Sequence, residues 1–217
     1  MSNLRCMKPP GEGLYRFVWR VLRGLARVLW GLEVCGEENV PLKGGVILAS
    51  NHLSLADPPI VGAAAPRTLY YMAKRELFDI PLLRSLIEAL NAFPVRRGYG
   101  REALKRALEV LRGGGAVLLF PEGTRSRDGR LGPPKPGVGM LAVKGRVPVV
   151  PVALSGTKHT GRCLLRRDRI RVTFISPLLP REWEGLPEKE ACRRVGELVM
   201  ERIADVLGHW PLRSIGI

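Results

Sequence analysis

Residues that build metal centres and disulfide frameworks are scarce in this chain of 217 residues. It has three histidines and four cysteines, with no C-x-x-C pair and no histidine at zinc spacing from a cysteine. That leaves little material for a metal site. It implies a reduced, intracellular setting in which Cys6, Cys35, Cys163 and Cys192 are packing residues or bystanders. Acids are scarce as well: 20 Asp plus Glu oppose 35 Lys plus Arg, a formal net charge of +15. Such a balance speaks of anionic partners, whether nucleic acid, membrane or phosphorylated small molecules. Only 6% of the residues are aromatic. No stretch reaches the roughly 18 to 20 apolar residues that span a bilayer, so any membrane contact is expected to be made from its surface. No secretory signal is expected at the N-terminus. Neither G-x-x-x-x-G-K-[ST] nor a helix-opening G-x-G-x-x-G occurs, which disfavours nucleotide hydrolysis and dinucleotide redox chemistry.

What is present fits a single domain with an ordinary apolar fraction of 46%. Residues 1–34 are expected to form a membrane-associating helical segment and 35–217 the main domain. Within the first, Leu14 to Leu32 reads as an amphipathic helix. Arg16, Arg20, Arg23 and Arg27 share one face, and Phe17, Val21, Leu25 and Val28 are among its apolar residues. Basic and apolar faces on one helix mark an interfacial helix; the alternative is a core-packing helix with a solvated Arg face.

From there the pattern alternates between strands and helices. Strands are expected at Val46–Ser50, Thr68–Ala73, Phe93–Val95, Ala116–Phe120, Val149–Leu154 and, more exposed, Ile170–Ile175. Helices are expected from Asp57 (as N-cap, with Pro58 following), over Pro81–Leu90, Arg101–Arg112, Gly137–Lys144 and Glu188–Leu207. This predicts an α/β domain with a mostly parallel central sheet flanked by helices. The segment Gly123–Pro136, rich in Gly, Pro and Arg, reads as a mobile site loop.

Four segments could carry chemistry. Asn51-His52-Leu53-Ser54-Leu55-Ala56-Asp57 follows a strand and offers a base with an acid five residues on. A carboxylate on one ring nitrogen would fix the tautomer of His52 and stabilise its imidazolium. Taken alone, Asp57 could equally cap a helix while His52 packs, and Ser54 is a weaker candidate nucleophile. Phe120-Pro121-Glu122-Gly123-Thr124-Arg125-Ser126 ends another strand with a carboxylate, close-approach backbone and a cation, or else forms an ordinary turn. Phe93-Pro94-Val95-Arg96-Arg97 ends a third strand with two cations, either a phosphate site or a solvated pair. Val147-Pro148-Val149-Val150-Pro151-Val152 is apolar and signals nothing by itself.

In this order the four segments resemble the motifs of the glycerolipid acyltransferase family, and bacterial 1-acylglycerol-3-phosphate acyltransferases most closely. The resemblance spans roughly residues 35–180, and the F-P-E-G-T-R-S match is complete. The second motif departs from the family pattern at Arg96, which leaves open whether Arg96 or Arg97 grips a phosphate. Lys135 matches the Lys-x-Gly that follows the third motif, with Pro134 in place of the usual aromatic.

The resemblance implies phospholipid synthesis: transfer of an acyl group from a thioester to the sn-2 hydroxyl of lysophosphatidic acid. It implies His52 as base and Asp57 as its orienting acid. Glu122 and Gly123 would position the glycerol part, Arg97 and Arg125 with Lys135 would hold the phosphate, and Thr124 is a further substrate-binding residue. It implies acyl-CoA or acyl carrier protein as donor, no cofactor or metal, and a peripheral or monotopic place on the cytoplasmic face of the cell membrane. Another lysophospholipid or glycerol-3-phosphate is the alternative acceptor. A nucleic-acid-binding domain, using Lys158, Arg162, Arg166, Arg167, Arg169 and Arg171, is a remote alternative, and no nucleic acid is expected as partner. An inactive lipid-binding relative is a third.

Overall fold

The computed structural model describes residues 12–80, 84, 87–88, 91–95, 100–126, 128–159 and 169–208. Arg96 and Arg97, most of the expected helix 81–90 and the cations Arg162, Arg166 and Arg167 lie outside them.

The chain opens with α1 (Glu12–Trp30), followed by β1 (Glu33–Cys35), β2 (Val46–Ser50), α2 (Asp57–Ala64), β3 (Leu69–Lys74) and β4 (Ala92–Val95). Next come α3 (Gly100–Arg112), β5 (Ala116–Leu119), α4 (Gly137–Gly145), β6 (Val149–Ser155), β7 (Arg171–Phe174) and α5 (Glu188–Leu207). The seven strands form one sheet in the order β1-β7-β6-β2-β5-β3-β4. From β6 to β4 every neighbour is parallel, whereas β7 runs antiparallel to β6 and carries β1 parallel to itself.

The central strand shows why these sequences become these strands. All five residues of β2 are buried, as a parallel strand covered on both faces requires. Its side chains alternate: Val46 and Leu48 join α1 and α2 on one face, through Ala26, Ile60, Val61 and Ala64. Ile47 and Ala49 join α3, α4 and α5 on the other, through Leu111, Leu141, Val195 and Val199. The sheet is thus the middle layer of three.

Two sequence expectations change. The strand β1 was not anticipated, and it straddles the boundary expected at residue 34, so Glu33 and Val34 pair with the sheet of the larger unit. Asp57 is the first helical residue of α2 rather than its cap; Ala56 takes the cap position, and its carbonyl accepts the Ile60 amide.

In α1 the inward stripe is Trp19, Arg23 and Ala26, spaced four and three apart. Trp19 packs with Ala63 of α2, and Arg23 forms an ion pair with Glu37. The Arg face is therefore not wholly solvated. Phe17 (64% exposed), Val21, Leu25, Val28 (63%) and Leu29 form an outward apolar stripe flanked by exposed Arg20 and Arg27.

Candidate active site

The site lies at the C-terminal edge of the parallel strands, where crossover connections leave room for ligands. Asn51 prolongs β2 by one rung made of a side chain: its amide donates to the Leu154 carbonyl (2.9 Å) and its oxygen accepts the Leu154 amide (2.8 Å). The chain then turns, and His52 projects from a backbone held on both sides.

The first motif and the F-P-E-G-T-R-S segment form one structure around that residue. The His52 amide donates to Glu122 Oε1 (3.1 Å), and the Ser126 amide donates to the His52 carbonyl (2.7 Å). The imidazole stacks on Phe120, with ring centroids 3.9 Å apart and an interplanar angle of 19°. Residues 120, 122 and 126 thus fix the ring, the amide and the carbonyl of one histidine.

Asp57 is fully buried, and its Oδ2 lies 2.8 Å from His52 Nδ1. The same oxygen accepts the backbone amides of Leu53 (2.6 Å) and Ser54 (2.7 Å). Those amides require Asp57 to act as an acceptor, so Nδ1 carries the hydrogen between them and the Nε2 lone pair is left to take a proton. The Ser54 hydroxyl accepts the Ala56 amide (3.3 Å) and the His52 Nδ1 faces Asp57, so the structure does not pair Ser54 with the base.

Glu122, expected beside substrate hydroxyls, is turned inward. It is 6% exposed; Oε1 is engaged by the His52 amide and Oε2 by the Gly132 amide (3.0 Å). Burial pushes its carboxyl above the ordinary glutamate range, while the two amide hydrogen bonds pull it down and Asp57 nearby adds to the rise. Gly123 has a φ of 66°, a left-handed turn that favours glycine, and the Lys135 side chain lies across it. A Cβ at Gly123 would meet that side chain at 2.7 Å. Thr124, Arg125 and Lys135 are exposed around this turn. The structure therefore brings Gly123, Thr124, Arg125 and Lys135 beside the His52–Asp57 pair.

The loop after Arg125 is more tied than its composition suggests. The Gly129 amide donates to the Ser126 hydroxyl, that hydroxyl donates to Asp128, the Arg130 amide also donates to Asp128, and the Lys135 amide reaches the Pro121 carbonyl. Sequence reasoning missed the roles of Asn51, Phe120 and Glu122 in holding His52, because their partners are backbone atoms or a ring seventy residues away. Among the described residues no cluster of three His, Cys, Asp or Glu could hold a metal.

A histidine paired with a buried carboxylate, with exposed cations a few residues away, is the arrangement that activating a hydroxyl on an anionic molecule calls for. The chain belongs to the acyltransferase family, whose model matches residues 31–155. It is 30% identical over 195 residues to the 1-acyl-sn-glycerol-3-phosphate acyltransferase of Bacillus subtilis, covering 89% of this chain and 96% of that protein. The enzyme of the same name from Borreliella burgdorferi is 33% identical over 129 residues, 58% of this chain and 52% of that one. Its fold is similar to the crystal structure of the 1-acyl-sn-glycerophosphate acyltransferase PlsC from Thermotoga maritima, with a TM-score of 0.71 and 29% identity over 95% of this chain and 86% of that one.

Proposed function

We propose that this protein transfers a fatty acyl group from a thioester to the sn-2 hydroxyl of 1-acyl-sn-glycerol 3-phosphate, giving phosphatidic acid. The observation that carries the reading is the His52 Nδ1 to Asp57 contact, which leaves Nε2 as a base at the ligand-binding edge of the sheet. Kinship with enzymes of that name over almost their whole length supports the choice of substrate.

In the reaction, Nε2 of His52 takes the hydroxyl proton as the oxygen attacks the thioester carbonyl. A new carbon–oxygen bond forms and the carbon–sulfur bond breaks. The imidazolium, stabilised by Asp57, returns its proton to the departing thiolate. Arg125 and Lys135, with Arg97, hold the acceptor's phosphate, and the backbone at Gly123 and Thr124 receives its glycerol part. Glu122 works from behind: it braces the His52 and Gly132 backbones instead of meeting the glycerol. The donor is acyl-CoA or acyl carrier protein.

The acceptor is a lipid, so the protein works at a bilayer. Among the described residues no helix is long and apolar enough to cross one. The outward stripe of α1 suits shallow insertion, with Arg20 and Arg27 at the level of anionic headgroups. The proposed place is peripheral, on the cytoplasmic face of the membrane, where both candidate acyl donors would be met.

The test is acyl transfer from a long-chain acyl-CoA or acyl carrier protein to lysophosphatidic acid in vesicles, following free thiol and phosphatidic acid. Acceptor-dependent thiol release that disappears in His52→Ala is the expected result. A folded wild-type protein that releases no thiol with lysophosphatidic acid, but does so with another acceptor, would overturn the substrate.

A further inference from the structure

The residues assigned so far supply a base and an acceptor site but no place for the donor. A groove of about 610 Å3 opens at the same sheet edge. Asn51 and Leu53, the two chain neighbours of His52, both line it. Its volume falls in the range of about 300–1,000 Å3 usual for small-molecule sites.

Its chemistry is mixed. Leu53, Val206 and Leu207 give it apolar surface, and Ser155 and Thr173 place hydroxyl side chains along it. A bare acyl chain would call for an uninterrupted apolar wall. An aliphatic arm interrupted by amides fits this lining better. Two further lining residues are cations, Lys158 and Arg171. Arg171 shares the Glu33 carboxylate with Arg169, and Lys158 lines the same groove, so the cations there outnumber the acid and an anion is favoured. The Lys158 side chain also lies against Gly129 of the site loop, which places this cation beside the catalytic segment.

We propose that this groove seats the phosphopantetheine arm of the acyl donor, with its phosphate beside Lys158 and its thioester toward Leu53 and His52. This rests on acyl transfer as the reaction. Coenzyme A and acyl carrier protein carry the same arm, so one groove serves either donor.

Direct binding of pantetheine 4′-phosphate to the full chain, by calorimetry, tests the groove without turnover. Saturable binding by the wild type is expected. Thr173→Trp, which fills the groove, and Lys158→Glu, which reverses its charge, are each expected to weaken it roughly 10-fold or more. Two variants are used so that misfolding of one, seen by circular dichroism, does not end the test. In steady-state assays both should raise KM for acyl-CoA and for acyl carrier protein while KM for lysophosphatidic acid stays unchanged.

No saturable binding by the wild type overturns the groove, even if acyl transfer is observed. Unchanged binding and donor KM in folded variants overturn it as well. A KM rise for one donor alone also overturns it, because the groove would then read the nucleotide or the carrier protein rather than the shared arm. Saturable binding without any acyl transfer would instead place the failure in the proposed reaction.

Discussion

At the scale of single residues, the site depends on what surrounds His52 as much as on the histidine itself. Removing the proposed base in His52→Ala should lower kcat by roughly 100- to 10,000-fold with the fold intact, read from acceptor-dependent thiol release. Glu122 gives a sharper test, because a brace and a substrate ligand fail differently. Glu122→Gln has one oxygen for two backbone donors and sets an NH2 against the other. Displacement of His52 should then lower kcat by roughly 10- to 100-fold with little change in KM for the acceptor. A glutamate that held the glycerol would show the change in that KM. The pH dependence follows from the raised carboxyl of Glu122. An acid whose folded-state value lies above its unfolded one stabilises the fold below the unfolded value, and that contribution is lost as pH rises through the folded value. Thermal melts should show the wild type losing stability relative to Glu122→Gln as pH rises above the ordinary glutamate range. The pairing of His52 with Asp57 was legible in the sequence from spacing and motif. The inward aim of Glu122 was not, since a carboxylate before Gly123 reads the same whether it faces a substrate or a buried amide.

At the scale of elements, legibility followed length and burial. The strand Val46–Ser50 and the helix Glu188–Leu207 have the bounds their patterns predict, because a short apolar run after Gly44-Gly45 and a long periodic segment after Pro187 each allow one reading. The three residues of β1 carry no periodicity and become a strand only because β7 offers an edge. The reversal at β7 was equally hidden, since alternation does not encode direction. Close approach of helices is a further property that composition conceals. In α4, a Cβ at Gly139 would sit 1.9 Å from the Cys192 carbonyl oxygen of α5. Backbone cannot move aside as a side-chain tip can, so Gly139→Ala should cost on the order of 1–3 kcal/mol. Denaturant titration would detect this as a lower midpoint, and an unchanged midpoint would show that the helices separate freely.

At the scale of the whole molecule, charge and the outward stripe of α1 act together. In the proposed membrane docking, the net charge of +15 would draw the protein toward anionic bilayers and the apolar side chains would hold it there. Co-sedimentation with anionic vesicles should weaken as salt rises, reflecting the screened part. Phe17→Asp with Val28→Asp should reduce binding at every salt concentration while the α/β fold persists, since both side chains are mostly exposed. Equal binding by this variant would show that another surface makes the contact.

The side-chain rung between Asn51 and Leu154 has a consequence for the order in which this molecule comes into being. The neighbours of β2 are β5 and β6, so the strand that presents His52 stays unpaired until chain some seventy to one hundred residues later has been made. Closing such distant contacts is slow compared with forming local helix. During synthesis His52 emerges early, but it stands in an assembled site only once Leu154 has left the ribosome and docked. Recovery of turnover during refolding therefore reports on the long-range pairing of β2 with β6, not on collapse of the helices.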